Sequence, residues 1–190
     1  MAAKIRSFGD LTVERSVIRT RTVDLALGAV MAALALVIPI AFRGTPLQVN
    51  IPALGYSATL ASHVPEMISV LAGPPMALAV GVASALGFLV TLSPVVGLRA
   101  FTHGIWGALA SVAYRSGWSY LKVMVIVALP IHAVGEGLAV LVFGFPIQAV
   151  LVTMVGTGIH HVVDLMTSMA VIRAARPVLA PTILSGIRLV

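Results

Sequence analysis

The sequence predicts an all-α integral membrane protein, a bundle of six transmembrane helices with both termini in the cytoplasm. Three observations point to it. The 190 residues are 59% hydrophobic and only 9% charged, with a mean hydropathy of +1.09, beyond the apolar share of an ordinary soluble domain. The apolar residues come in runs rather than alternating stripes, and most runs approach the ~20 residues that a helix needs to cross hydrocarbon. Seventeen glycines against 6% aromatic residues suit helices packed closely through small side chains. The absence of cysteine excludes disulfides, iron–sulfur clusters and thiolate zinc sites. The basic residues behind the net charge of +6 are scattered around the apolar runs as topology signals, so no nucleic-acid partner is expected.

Glycine, proline and charge punctuation divides the chain into spans at residues 23–42, 57–72, 75–93, 98–115, 121–144 and 148–173. The second is short, and the breaks at residues 73–75 (GPP) and 92–97 (LSPVVG) are tight. No linker or repeat splits the chain, so residues 23–175 form one membrane domain between a basic N-terminal segment, 1–22, and a tail, 176–190. Both flanking segments are expected in the cytoplasm. With an even number of spans, ten of the twelve basic residues fall on one side: Lys4, Arg6, Arg15, Arg19, Arg21, Arg115, Lys122, Arg173, Arg176 and Arg188. The positive-inside rule makes that side cytoplasmic. The longest outer connection is then residues 42–57, FRGTPLQVNIPALGYS, which has the length and proline content to fold back as a lid. Asn50 is its polar candidate for ligand contact.

Ionisable residues inside apolar spans are costly and so tend to meet something. Three spans each carry a pair spaced i, i+4 on one helix face: Arg99 with His103, His132 with Glu136, and His160 with Asp164. The second span adds His63 and Glu66. Counting about 1.5 Å per residue from each outer end places Arg99 near the surface and His63, Glu66, His103 and Glu136 on the order of 10 Å deeper. His132 and His160 then lie near the midplane. The result is a polar pocket open to the outside. Asp164 is expected deeper still, holding His160 rather than a ligand, and His161 points about 100° away from His160. Trp106, Phe88 and Phe101 are expected to pack, whereas Tyr56, Phe143 and Phe145 lie at outer ends. Any one of the polar groups has a structural alternative, a bond to a neighbouring helix worth about 0.6 kcal/mol.

Enzyme motifs are missing. There is no HExxH, no Gly-x-Ser-x-Gly and no P-loop. No metal site and no cofactor is expected from spacing, and any ATP-driven step falls to other subunits. A stand-alone proton-coupled carrier and a membrane metal or haem protein are the alternatives from other classes.

The stretch ATLASHVPEMISVLAGPPMALAVGVASALGFLV, residues 58–90, resembles the second and third helices of the substrate-binding S components of energy-coupling factor (ECF) vitamin transporters. There a polar turn, His-x-Pro and a Gly-Pro break precede a Gly-rich helix. The resemblance spans residues 23–175 and implies a vitamin-binding subunit of a bacterial cell-membrane importer, with a transmembrane coupling subunit and two ATP-binding subunits as partners. It also implies that the small residues Gly28, Ala29, Ala32 and Ala33 dock on the coupling subunit, and small-xxx-small packing is the physical reason. GLRAFTH, LPIHAVGEGLAV and VGTGIHHVVDLMTSMAV are similar to the niacin-type members, with pantothenate, riboflavin and cobalamin as alternative ligands. Glu66 departs from that pattern, in which an apolar residue follows His-Val-Pro. Nicotinate is a small aromatic carboxylate, and Arg99 has the planar fork to bind it in bidentate fashion. His103 or His132 would then reach the ring nitrogen or the carboxylate, and Glu136 would need a proton or a cationic partner.

Overall fold

The computed structural model describes residues 8–179 and 187–190. Lys4 and Arg6 of the basic lead and residues 180–186 of the expected tail lie outside the described residues. The elements are α1 (Phe8–Ala41), β1 (Gln48–Ile51), a 3-10 turn (Pro52–Leu54), β2 (Tyr56–Thr59), α2 (Val64–Ser69), α3 (Pro74–Thr91) and α4 (Pro94–Arg115). A rod from Tyr120 to Val142 follows, built of α5 (Tyr120–Lys122), a π-helical stretch (Val123–Ala128) and α6 (Leu129–Val142). The last helix is α7 (Ile147–Leu179). α1 and α7 run through the expected boundaries at 22/23 and 175/176, so neither marks an end of a helix.

Five stretches among the described residues are helical, long and apolar enough to cross a membrane: Thr22–Ala41, Pro74–Thr91, Pro94–Arg115, Tyr120–Val142 and Ile147–Arg176. The expected second span does not join them as a helix. Residues 57–72 instead fold as the rest of β2, a turn, the six-residue α2 and one 3-10 turn at Val70–Ala72. Local chemistry explains the break. Ala61 sits at φ 61°, a left-handed conformation that costs a non-glycine residue energy. Pro65 opens α2, and Gly73 at φ 111° closes the segment ahead of Pro74 and Pro75.

The segment still runs from one end of the bundle to the other. At one pole, Gly55 lies within van der Waals reach of Val95 and Phe145, beside the tip of α4 and the start of α7. At the other, Val70 accepts a 2.7 Å hydrogen bond from Ser111 Oγ near the end of α4. Gly73 there abuts the guanidinium of Arg115, which pairs at 3.6 Å with Asp24 in the first membrane-length stretch of α1. The C-terminal residues return to the same pole, where Arg188 and Leu189 accept backbone bonds from Tyr120 and Leu121. Backbone without helical bonds is tolerated at membrane depth only inside protein, and Ser57, Thr59, Ser62 and His63 are all buried.

Small residues set the spacing around this segment. Gly81 of α3 faces Gly104 of α4 so closely that a Cβ on Gly81 would lie 2.0 Å from the Gly104 nitrogen. Gly87 meets the Leu36 carbonyl of α1 in the same way, at 2.7 Å. The opposite face of α3 presents Leu78, Val82, Leu86 and Leu89 outward, an apolar stripe fit for lipid. Gly81→Ala is expected to push α3 from α4 and lower stability by about 1 to 3 kcal/mol, as overpacking does. Gly158→Ala, where nothing lies within 4 Å, should unfold like the parent in a thermal scan of detergent-purified protein. Equal midpoints for the two variants would refute the close-packing account.

Candidate functional site

The i, i+4 pairs of α4, α6 and α7 do face a common interior, and the discontinuous segment closes it. Arg99 is 3% exposed and almost fully engaged. Its Nε and one terminal nitrogen donate to Glu136 Oε2 at 3.1 and 2.5 Å. The same terminal nitrogen donates to the Ser57 carbonyl at 3.1 Å, and the other donates to the Gly55 carbonyl at 2.8 Å. The Tyr56 ring covers the guanidinium, 5.3 Å from its carbon, in a cation–π arrangement. Arg99 therefore fastens the hairpin of β1 and β2, which pair in antiparallel register from Gln48↔Thr59 to Ile51↔Tyr56, onto the helices below. The connection expected to fold back does so as this hairpin.

Glu136 is the hub. Thr157 Oγ1 also donates to its Oε2, while Oε1 lies 3.3 Å from His103 Nε2 and 3.2 Å from His132 Nε2. His103 has Ser84 Oγ 3.2 Å from its other nitrogen and Glu66 Oε1 at 3.5 Å. His63 lies among them, its ring centre 4.6 Å from that of His103 and 4.5 Å from those of His132 and His160. Both oxygens of Glu66 and Nδ1 of His63 are buried without a hydrogen bond. Beneath lies a second carboxylate centre. Asp164 accepts the backbone N–H groups of Ala61 and His63 at 2.9 and 3.0 Å. Its Oδ2 also sits 3.0 Å from His63 Nδ1 and 3.1 Å from His160 Nε2. It thus does for the turn at residues 61–63 what an N-cap does for a helix, satisfying orphan amides at the start of α2.

Seven of the eight expected ligand residues meet here: His63, Glu66, Arg99, His103, His132, Glu136 and His160. Asn50 does not, because it lies exposed on β1 beside Ser57 of β2. Two expectations for α7 are extended. Asp164 does hold His160, and it also accepts the amides of the turn that the broken second segment brings down to it. His161 does leave the His160 face, yet it enters the site from the side, with Nδ1 3.0 Å from His132 Nδ1 and Nε2 3.2 Å from the Met124 carbonyl. The π-helical stretch that contains Met124 supplies that carbonyl, and such wide turns often occur at functional sites. Thr157 and Ser84 were not anticipated. The signal for Thr157 was its position one turn before His160 and His161.

Of the aromatic residues, Trp106 is fully buried against His132 and His161 with its indole N–H unpartnered. Phe101, expected to pack, is exposed. Among the small residues of α1, Gly28 is buried against Met76 of α3 and is removed from any docking face. Ala29 and Ala33 are exposed and Ala32 half-buried.

A void of about 20 Å³ lies among Ser57, His63, Arg99, His103, Glu136 and His160, room for a single water on the scale where one water takes about 10 to 15 Å³. No family model, curated protein or solved structure matches this chain. What the arrangement can do follows from its own chemistry: a closed lid, five convergent imidazoles, three buried carboxylates and one guanidinium that is already paired.

Arg99→Met should leave Glu136 as an uncompensated buried charge and cost about 3 to 5 kcal/mol, while Arg99→Met with Glu136→Gln should recover part of that loss. Hydrogen exchange of residues 43–59 should rise sharply in the single variant. Unchanged protection there would show that the hairpin does not depend on Arg99.

Proposed function

We propose that the chain is the substrate-binding membrane subunit of an ECF-type importer, which captures a small solute from outside beneath the hairpin lid and passes it to ATP-driven partners. The observation that carries this reading is the Arg99 clamp, which fastens the hairpin over a buried cluster of carboxylates and imidazoles. A site that is polar, enclosed and roofed by a releasable hairpin suits capture and release better than catalysis, since no group in it has the surroundings of an activated nucleophile.

Among the described residues the pole of Arg115, Lys122 and Arg188 is the more basic, against Arg43 and the paired Arg99 at the hairpin pole, and by the positive-inside rule this favours a hairpin on the outside of a bacterial cell membrane. Residues 56–72 then serve as a sixth, discontinuous crossing, and both chain ends face the cytoplasm. Energy comes from two ATP-binding subunits through a transmembrane coupling subunit, because this chain has no P-loop. The exposed Ala29 and Ala33, one turn apart on α1, offer that subunit a surface for close backbone approach. Nicotinate remains the vitamin that the resemblance implies. For it to bind, the lid must open and Glu136 must yield part of Arg99, so its affinity measures how far that pair gives way.

Ala29→Trp and Ala33→Trp should leave solute binding intact but abolish uptake in cells that contain the coupling and ATP-binding subunits. Uptake assays beside binding assays on purified protein decide it. Full transport in both variants would refute the docking face, and loss of binding together with transport would place that face inside the subunit.

A further inference from the structure

The hydrogen-bond arithmetic of the chamber does not close when His132 and His161 are neutral and Glu136 is a carboxylate. The Met124 carbonyl can only accept, so His161 Nε2 bears the hydrogen of their 3.2 Å contact. A neutral His161 then presents a bare Nδ1, and the hydrogen in the 3.0 Å contact with His132 must belong to His132 Nδ1. Nothing is left for His132 Nε2. It faces Glu136 Oε1 at 3.2 Å, a lone pair against a carboxylate. Three contacts in a row need three hydrogens, and two neutral imidazoles supply two. A proton or a metal cation belongs between His132 and Glu136.

The charge balance gives its size. Among the described residues three carboxylates, Glu66, Glu136 and Asp164, are buried with one guanidinium, Arg99. With the carboxylates ionised and the imidazoles neutral, the interior would carry two negative charges too many, in surroundings where even one unpaired charge is costly. An anion would deepen the surplus. A divalent cation cancels it.

The ligand geometry is also present. His63, His103, His132 and Glu136 are all buried, and each offers one nitrogen or oxygen such that the four atoms lie within 4.8 Å of one another. Bonds of about 2.0 to 2.2 Å to a tetrahedral ion put neighbouring ligand atoms about 3.4 Å apart. The distances from Glu136 Oε1 to His103 Nε2 and His132 Nε2, 3.3 and 3.2 Å, already match. The opposite nitrogens are braced as metal-bound imidazoles are: His132 by the His161–Met124 relay, and His103 by Ser84 and Glu66. His63 Nδ1 lies 3.0 Å from Asp164 Oδ2, and Glu66 Oε1 lies 3.5 Å from His103 Nδ1.

We propose that this chamber binds one divalent first-row transition-metal ion through His63, His103, His132 and Glu136, and that the ion is the solute the subunit captures. The second half rests on the importer reading above; the first does not. Three imidazoles with one carboxylate suit zinc, nickel or cobalt rather than magnesium or calcium, and the lack of thiolates disfavours copper(I). His161 is a positioning residue: it fixes the tautomer that turns the His132 Nε2 lone pair inward.

The test uses detergent-purified full chain without a polyhistidine tag, stripped with chelator and titrated separately with zinc, nickel and cobalt chlorides and with nicotinate. One ion per chain is expected, with visible cobalt bands of tetrahedral character. His132→Gln and Glu136→Gln should weaken binding by at least about tenfold. His161→Gln should cost about 10- to 100-fold and shift the cobalt spectrum, which a merely structural role would not do. Absence of a stoichiometric ion on the parent protein overturns the site whatever the variants do, as does unchanged affinity in folded His132→Gln and Glu136→Gln. Nicotinate binding without any ion overturns the metal and leaves the importer reading standing. Ion binding by the isolated chain with no metal uptake in cells that contain the coupling module keeps the site and overturns its role in capture.

Discussion

The structure depends first on the contact between Arg99 and Glu136. A guanidinium buried at 3% exposure must find a counter-charge and acceptors for most of its N–H groups, or the bundle would open to hydrate it. Glu136 supplies the charge, and the carbonyls of Gly55 and Ser57 supply the remaining acceptors. That solution has a structural consequence. The carbonyls belong to the hairpin, so satisfying one buried cation draws residues 48–59 over the mouth of the helices. Lid closure and charge compensation are one event rather than two.

The depth of the chamber follows from how closely the backbones approach. Gly81 against Gly104 brings α3 and α4 within reach of Ser84 and His103, which then contact at 3.2 Å. Asp164 does similar work for the broken crossing. By accepting the amides of Ala61 and His63 it stands in for the helical bonds that the turn lacks, and it holds His63 among the other rings. A continuous helix through residues 57–72 would satisfy its own backbone and would have no use for Asp164. The polar site and the irregular backbone are thus mutually required.

Those two facts explain which features the sequence disclosed. The pairs Arg99/His103, His132/Glu136 and His160/Asp164 were legible because i, i+4 spacing on regular helices fixes a face without knowledge of the neighbours. Residues 57–72 misled because hydropathy sums side chains and is blind to a tertiary cap 103 residues away from Ala61. The partners of His161 escaped notice for a related reason: the Met124 carbonyl comes from a π-helical stretch that no local pattern announced. Gly28 looked free beside Ala29, yet the absence of a side chain serves Met76 of α3. Small residues reveal that something comes close; they do not reveal which neighbour. Asn50 shows the converse, a polar residue in the right loop on an exposed strand position.

The two oxygens of Glu136 divide the labour of the site. Oε2 takes Arg99 and Thr157, and so belongs to the lid and to α7; Oε1 faces His103 and His132, and so belongs to the chamber. A carboxylate has about four lone-pair positions, enough for both duties at once. Its charge, however, is shared. A cation placed at Oε1 draws electron density from the same group that anchors Arg99, and loss of that cation returns it. Under the proposed cation site, occupancy would be felt at the hairpin through a single side chain, without a relay of moving helices. This gives a physical reason for the lid to be fastened by an arginine on a carboxylate: an apolar latch would close the chamber equally well, but it could not sense the charge inside.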